Sequence, residues 1–177
     1  MATFGRNAEG VRVAGPWGPP PPFQPPSAGT REAMARLYEE VDASLAPVAA
    51  ACRACGKCCS FKPEGIVLFA SAVELAYLVT ETGGMPKACP PKLRRGHAGR
   101  RIGGPWRCPY QRGNRCAARC ARLLGCRTYF CQAEARAGGE RLYAGALREI
   151  QRIAEGQGSW WYGPARLYLE RALRQVC

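Results

Sequence analysis

The chain has 177 residues, 26 Lys plus Arg against 13 Asp plus Glu, 11 cysteines and a single histidine. That length makes one domain and excludes a large multidomain enzyme, and no run approaches the roughly 18 consecutive apolar residues that cross a bilayer. The opening MATFGRNAEGVRVAGPWGPPPP lacks the apolar stretch of a secretory signal, so the expected compartment is the cytoplasm, where thiols stay reduced and eleven cysteines read as metal ligands or reactive thiols rather than as disulfides.

Residues 1–29 hold Gly15, Pro16, a proline run at 19–22, Pro25 and Pro26. They predict a disordered or polyproline-like arm, in which Trp17 and Phe23 are expected to stand exposed. From Thr30 onward, Met34, Leu37, Val41, Leu45 and Val48 recur at steps of three and four, which predicts an amphipathic helix that Pro47 kinks or restarts. Residues 30–177 are read as one domain.

Residues 65–70 are short, apolar and partly β-branched, as in a buried strand or an extended connection. Ser71 and Glu74 form an S-x-x-E capping box leading into Leu75, Leu78 and Val79, and Gly83 with Gly84 closes that second helix. Residues 84–131 show no sustained period, too long a loop for a compact domain unless something such as a bound metal organises it. A further helix is expected to begin after Gly138 and Gly139, with Tyr143, Leu147, Ile150 and Ala154 on one face, and to end at residues 156–158. Pro164 suits the first position of a last helix carrying Leu169, Leu173 and Val176. Trp160, Trp161 and Tyr162 before it are better explained by packing of that helix than by a ligand pocket.

The charge is concentrated. Residues 92–136 carry 12 Lys plus Arg and one acid, Glu134, a net +11 of the formal +13. Such a segment can displace counterions from a polyanion. It can equally offset metal-bound thiolates, because a divalent ion with four Cys ligands keeps a charge of about −2. With 22 of the 26 basic residues arginine in a chain rich in Ala, Gly and Pro, biased codon usage also accounts for the composition. Nucleic-acid binding is therefore possible but not favoured.

The cysteines fall into two constellations. The first is C-x2-C-x2-C-C, formed by Cys52, Cys55, Cys58 and Cys59, with Gly56 after the second member. A C-x-x-C step followed by Gly makes a tight knuckle that turns two sulfurs toward one ion. The second is Cys108, Cys116, Cys126 and Cys131, and Gly113 with Asn114 forms a turn that brings Cys108 and Cys116 together. Eight cysteines at knuckle and turn positions are hard to explain as small core residues. Adjacent Cys58 and Cys59 leave the division of thiols between metals open.

The segments CRACGKCCSF and CPYQRGNRC…GCRTYFC resemble those of the YkgJ-type cysteine-cluster proteins, a family described as zinc- or iron-chelating. The likeness extends over roughly residues 33–173, including LYEEVDASLAP, Glu74 and WYGPARLYL. It implies the same eight cysteines as metal ligands and leaves Cys89, Cys120 and Cys177 as extras. The chain departs from the family at Arg122-Leu123, where an Arg-Pro pair is usual, so the loop before Gly125-Cys126 is expected to be less constrained.

Zinc and iron both accept thiolate ligation. The C-x2-C-x2-C run and its Arg-rich surroundings favour an iron–sulfur cluster or iron over zinc. His97, alone in a Gly- and Arg-rich stretch, and the pair Glu64 and Glu74 offer little as catalytic acid or base. No phosphate-binding loop or nucleophile elbow occurs, which removes ATPase, dehydrogenase and hydrolase readings. The expectation is a small, mainly α domain of four or five helices around a metal-pinned, Cys-rich irregular region. Its function would be metal binding, in electron transfer or metal handling with an unknown protein or redox partner. Whether it is an enzyme stays open: flagellin lysine methylases are thought to carry a similar cysteine motif, and a cluster-dependent enzyme is the alternative, beside a zinc-ordered nucleic-acid module.

Overall fold

Ser27 starts the first helix: its Oγ accepts from the Thr30 N–H at 3.2 Å, supplying one of the donors a helix start leaves unmet. The helix, α1 (Ala28–Ala49), buries Thr30, Met34, Leu37, Tyr38, Val41 and Leu45 along one stripe, the 3.6-residue period of the sequence made physical. It runs on through Pro47 without restarting, because a proline two positions before Ala49 disturbs only the last turn. The computed structural model describes residues 5–6, 12–13, 17–49, 59–61, 67–84, 106–130, 133–158 and 160–176.

The short strand β4 (Phe69–Ser71) leads into α2 (Ala72–Glu81) through the expected capping box, and Gly83 and Gly84 follow with φ of 72° and 110°. α2 is apolar nearly all round and is the most enclosed helix, with Val73, Leu75, Ala76, Leu78 and Val79 all buried. β4 pairs antiparallel with β8 (Tyr162–Pro164), which ties the start of α2 to the start of α5 (Ala165–Val176). Two further backbone bonds extend this tie, Ala72 N to Trp161 O at 3.0 Å and Ala165 N to Leu68 O at 2.9 Å. Pro164 is the last residue of β8, one position before the helix it was expected to begin.

The long helix α4 (Ala133–Glu155) begins ahead of Gly138 and Gly139, which the sequence suggested as its boundary. The reason is a close approach. A Cβ on Gly139 would lie 1.9 Å from the Thr128 carbonyl oxygen, so the end of α3 (Leu124–Thr128) packs onto α4 at a point where only glycine fits. Ala146, Ile150 and Ala154 are buried and Tyr143 and Leu147 half-buried, as the expected face requires. Gln157, just beyond α4, donates to Thr30 Oγ1 at 2.7 Å, so α1 and α4 pack antiparallel.

The domain is mainly α, with five α-helices and four two-stranded pairings among the described residues. Its core gathers Met34, Leu75, Leu124, Ile150, Trp161 and Leu169 from all five helices and the β8 approach. Trp160 stacks on Tyr162 at 5.9 Å, and Trp161 lies against Tyr168 at 6.2 Å, so these aromatics pack the last helix. Within the arm, the pair β1 (Gly5–Arg6) and β2 (Arg12–Val13) is antiparallel. Trp17 and Phe23 are half-buried rather than exposed. Trp17 meets Phe69 edge-on at 5.3 Å, Phe23 packs on the core, and Arg171 donates to the Pro20 carbonyl. Each ring removes apolar area from water by lying down. No helix among the described residues is long and apolar enough to cross a membrane.

Candidate metal centre

Two of the eight expected ligands, Cys59 and Cys108, become neighbours through backbone pairing, and a third, Cys116, follows on the next hairpin. β3 (Ser60–Phe61) and β5 (Trp106–Arg107) pair antiparallel with Ser60 opposite Arg107, and the Cys108 N–H donates to the Cys59 carbonyl at 3.1 Å. Residues 49 apart in sequence thus become neighbours across a two-residue ladder. The chain then turns at once: Gln111 N donates to Cys108 O at 3.0 Å, and the hairpin β6 (Gln111–Arg112) and β7 (Arg115–Cys116) sets Cys116 opposite Gln111. Gly113 makes this turn at φ 55°, a left-handed conformation that favours glycine. The Gly113-Asn114 turn therefore does what its residues suggest and returns Cys116 beside the Cys108 segment.

Cys126 is presented differently, from the short helix α3. Arg122 (φ −62°, ψ 147°) and Leu123 (φ −60°, ψ 155°) before it already have the extended backbone that an Arg-Pro pair would impose. The helix α3 that follows is anchored at both ends. At its start, the Leu124 N–H donates to Glu74 Oε1 at 2.9 Å. Toward its end, Arg127, only 2% exposed, donates to the Arg122 carbonyl at 2.8 Å, to the Cys120 carbonyl and to Asp42. Its guanidinium lies 4.0 Å over the Tyr38 ring, within cation–π range.

Glu74 is buried at 1% exposure and takes four donors. Oε2 accepts from the Ser71 N–H at 2.8 Å and the Ser71 hydroxyl at 2.9 Å; Oε1 accepts from Leu124 N–H and, at 3.2 Å, from the Tyr38 hydroxyl. Burial pushes its pKa above the ordinary carboxylate value, and the four donors pull against that. Burial likewise holds the Tyr38 phenol well above its ordinary range, with the Glu74 charge adding to the effect and Arg127 opposing it. Tyr143, hydrogen-bonded hydroxyl to hydroxyl with Tyr162, is also raised, first by burial and then by that bond.

Cys59, Cys108, Cys116 and Cys126 are half-buried, and Cys120 is exposed. Cys120 lines an open cleft of about 530 Å³ with Tyr77, Glu81, Thr82, Tyr110 and Arg112. Cys52, Cys55, Cys58 and Cys131 lie outside the described residues, as do Cys89, Cys177, His97 and Glu64. Among the described residues no three His, Cys, Asp or Glu side chains are grouped as a metal site. A metal held in this region would therefore need thiols from cysteines outside the described residues. The donor set fits the group: half-buried thiols beside turns and backbone N–H groups suit zinc or iron and offer nothing to a hard oxygen-seeking cation.

Comparison with protein-family models, with curated proteins and with solved structures finds no match for this chain.

The network behind α3, in which exposed Asp42 meets buried Arg127, Tyr38 and Glu74, was not legible as a site. Arg127 stands in a basic run that reads as solvated, Tyr38 reads as one more member of a helix stripe, and Glu74 reads fully as a helix cap. The one sequence signal was Glu74 itself, an acid immediately followed by an apolar run.

Proposed function

We propose that the chain is a metal-binding protein whose two cysteine clusters, Cys52, Cys55, Cys58 and Cys59 with Cys108, Cys116, Cys126 and Cys131, together bind an iron–sulfur cluster, iron or zinc, in the manner of the YkgJ-type proteins it resembles. The observation that carries this reading is the β3–β5 ladder with its Cys108-to-Cys59 hydrogen bond, which joins the last cysteine of the first cluster to the first cysteine of the second. Two cysteine segments joined by so short a ladder would be stabilised further by a shared metal. When bound, iron would supply one-electron chemistry, whereas zinc in a closed four-thiolate shell is structural.

The chain's own residues determine the surroundings. The basic segment balances thiolate charge, yet two of its arginines, Arg122 and Arg127, turn to Asp42 and not to solvent alone. This inward use of positive charge leaves fewer arginines for a polyanion surface. The test is anaerobic purification followed by an absorption spectrum and quantitation of iron, zinc and acid-labile sulfide per chain. Iron with sulfide places the protein in redox or metal-handling chemistry, zinc alone makes the centre structural, and a chain free of both overturns the proposal.

A further inference from the structure

Cys126 sits on a helix of five residues, too short to hold its own orientation. What fixes α3 is Glu74, 50 residues away in sequence, whose Oε1 receives the Leu124 N–H. The same carboxylate closes the α2 capping box through Ser71 and receives the Tyr38 hydroxyl of α1. One buried side chain thereby references three helices to each other, and Cys126 is two residues beyond its point of contact. From the other side, Arg127 clasps the Arg122 and Cys120 carbonyls, so the turn of chain leading to Cys126 is held closed.

Resting on the metal-binding reading, we propose that Glu74 is the positioning residue of the centre: through the Leu124 N–H it holds α3 in the orientation that presents the Cys126 thiol. Glu74 is not itself a ligand, because both of its oxygens are occupied by protein donors. Its replacement by glutamine is diagnostic. Whichever way the amide is turned, its NH2 group meets a backbone N–H, that of Ser71 on one side or that of Leu124 on the other, so one of the two ties must break.

The experiment compares wild type, Glu74→Gln, Tyr38→Phe and Ile150→Val in the full chain, loaded with zinc as the probe metal. The first readout is the rate of zinc release to excess chromogenic chelator. The second is the alkylation rate of Cys126 in the metal-free chain, followed by peptide mass spectrometry with exposed Cys120 as internal reference. Outer-shell partners of metal ligands typically govern affinity by about 10–100-fold. Glu74→Gln is therefore expected to release zinc about 10–100 times faster and to expose Cys126 to alkylation at least several-fold, with Cys120 unchanged. Ile150→Val, which weakens the core without touching the network, should alter neither rate materially. Tyr38→Phe removes one donor and spares the capping box, so it serves if Glu74→Gln does not fold, with the same changes in smaller measure. Wild-type rates in both Glu74→Gln and Tyr38→Phe overturn the inference. A wild type that retains no zinc, with Cys126 alkylation still accelerated in Glu74→Gln, overturns the metal reading and leaves Glu74's hold on Cys126 standing.

Discussion

Replacing Gly139 by alanine places a methyl group 1.9 Å from the Thr128 carbonyl oxygen and 2.9 Å from its carbonyl carbon. Ordinary contact begins at 3.4 Å, so the end of α3 and the body of α4 must part by about 1.5 Å, and the obstacle is backbone that cannot rotate away. Overpacking of this kind costs about 1–3 kcal/mol and sometimes more. Alanine in a helix interior returns about 1 kcal/mol of propensity, which is included in neither figure. A net loss of about 1 kcal/mol is predicted, equivalent to a fall in Tm of about 2–4 °C for a chain of this size. Gly138 and Gly145 lie in the same helix and have no atom within 4 Å of a built Cβ. Alanine at either is predicted to stabilise by about 0.5–1 kcal/mol. Urea unfolding followed by circular dichroism measures all three. The reasoning fails if Gly139→Ala is as stable as Gly145→Ala, since that outcome would mean α4 does not start at Ala133 or does not meet α3 at Thr128.

Other consequences are open to simple measurement. Asp42→Asn removes the charge partner of buried Arg127 and is predicted to cost about 1–3 kcal/mol, less than for a fully buried pair because Asp42 is 46% exposed; an unchanged urea midpoint would count against the ion pair. Burial pushes the Tyr168 phenol up to about 12 from an ordinary 10.0, so its neutral form contributes stability that is fully present below pH 10 and is lost as the pH rises toward 12. That two-unit difference corresponds to roughly 2–3 kcal/mol, and Tyr168→Phe should blunt the alkaline decline in Tm if the assignment is right. Removing the metal with a chelator should lower and broaden the thermal transition, because the β3–β5 ladder then lacks its shared tie; a superimposable calorimetric trace with and without chelator would contradict the proposed role.

What the sequence made visible, and what it hid, divides by range. The α1 stripe, the Ser71–Glu74 capping box and the Gly113-Asn114 turn are written in residues within a few positions of each other, and local spacing suffices to find them. The start of α4 is hidden because one of the two glycines that look like a break, Gly139, serves a contact with Thr128 on a preceding element. The β3–β5 ladder is hidden because each strand has two residues and no alternation to detect. Glu74 shows both cases at once: its bond to Ser71 is local and was expected, whereas its bond to Leu124 spans 50 residues and was not. The exposed-arm expectation for Trp17 and Phe23 fails for the same reason, since the surfaces they cover belong to β4 and the helical core.

On the proposed reading eight particular thiols hold metal, and Cys89, Cys120 and Cys177 are extras. Alkylation of the metal-loaded chain under native conditions, with each cysteine peptide quantified by mass spectrometry before and after chelation, tests it directly. The account predicts that Cys52, Cys55, Cys58, Cys59, Cys108, Cys116, Cys126 and Cys131 are protected until the metal is withdrawn, while Cys89, Cys120 and Cys177 react throughout. Uniform labelling of all eleven cysteines, unaltered by the chelator, would contradict it.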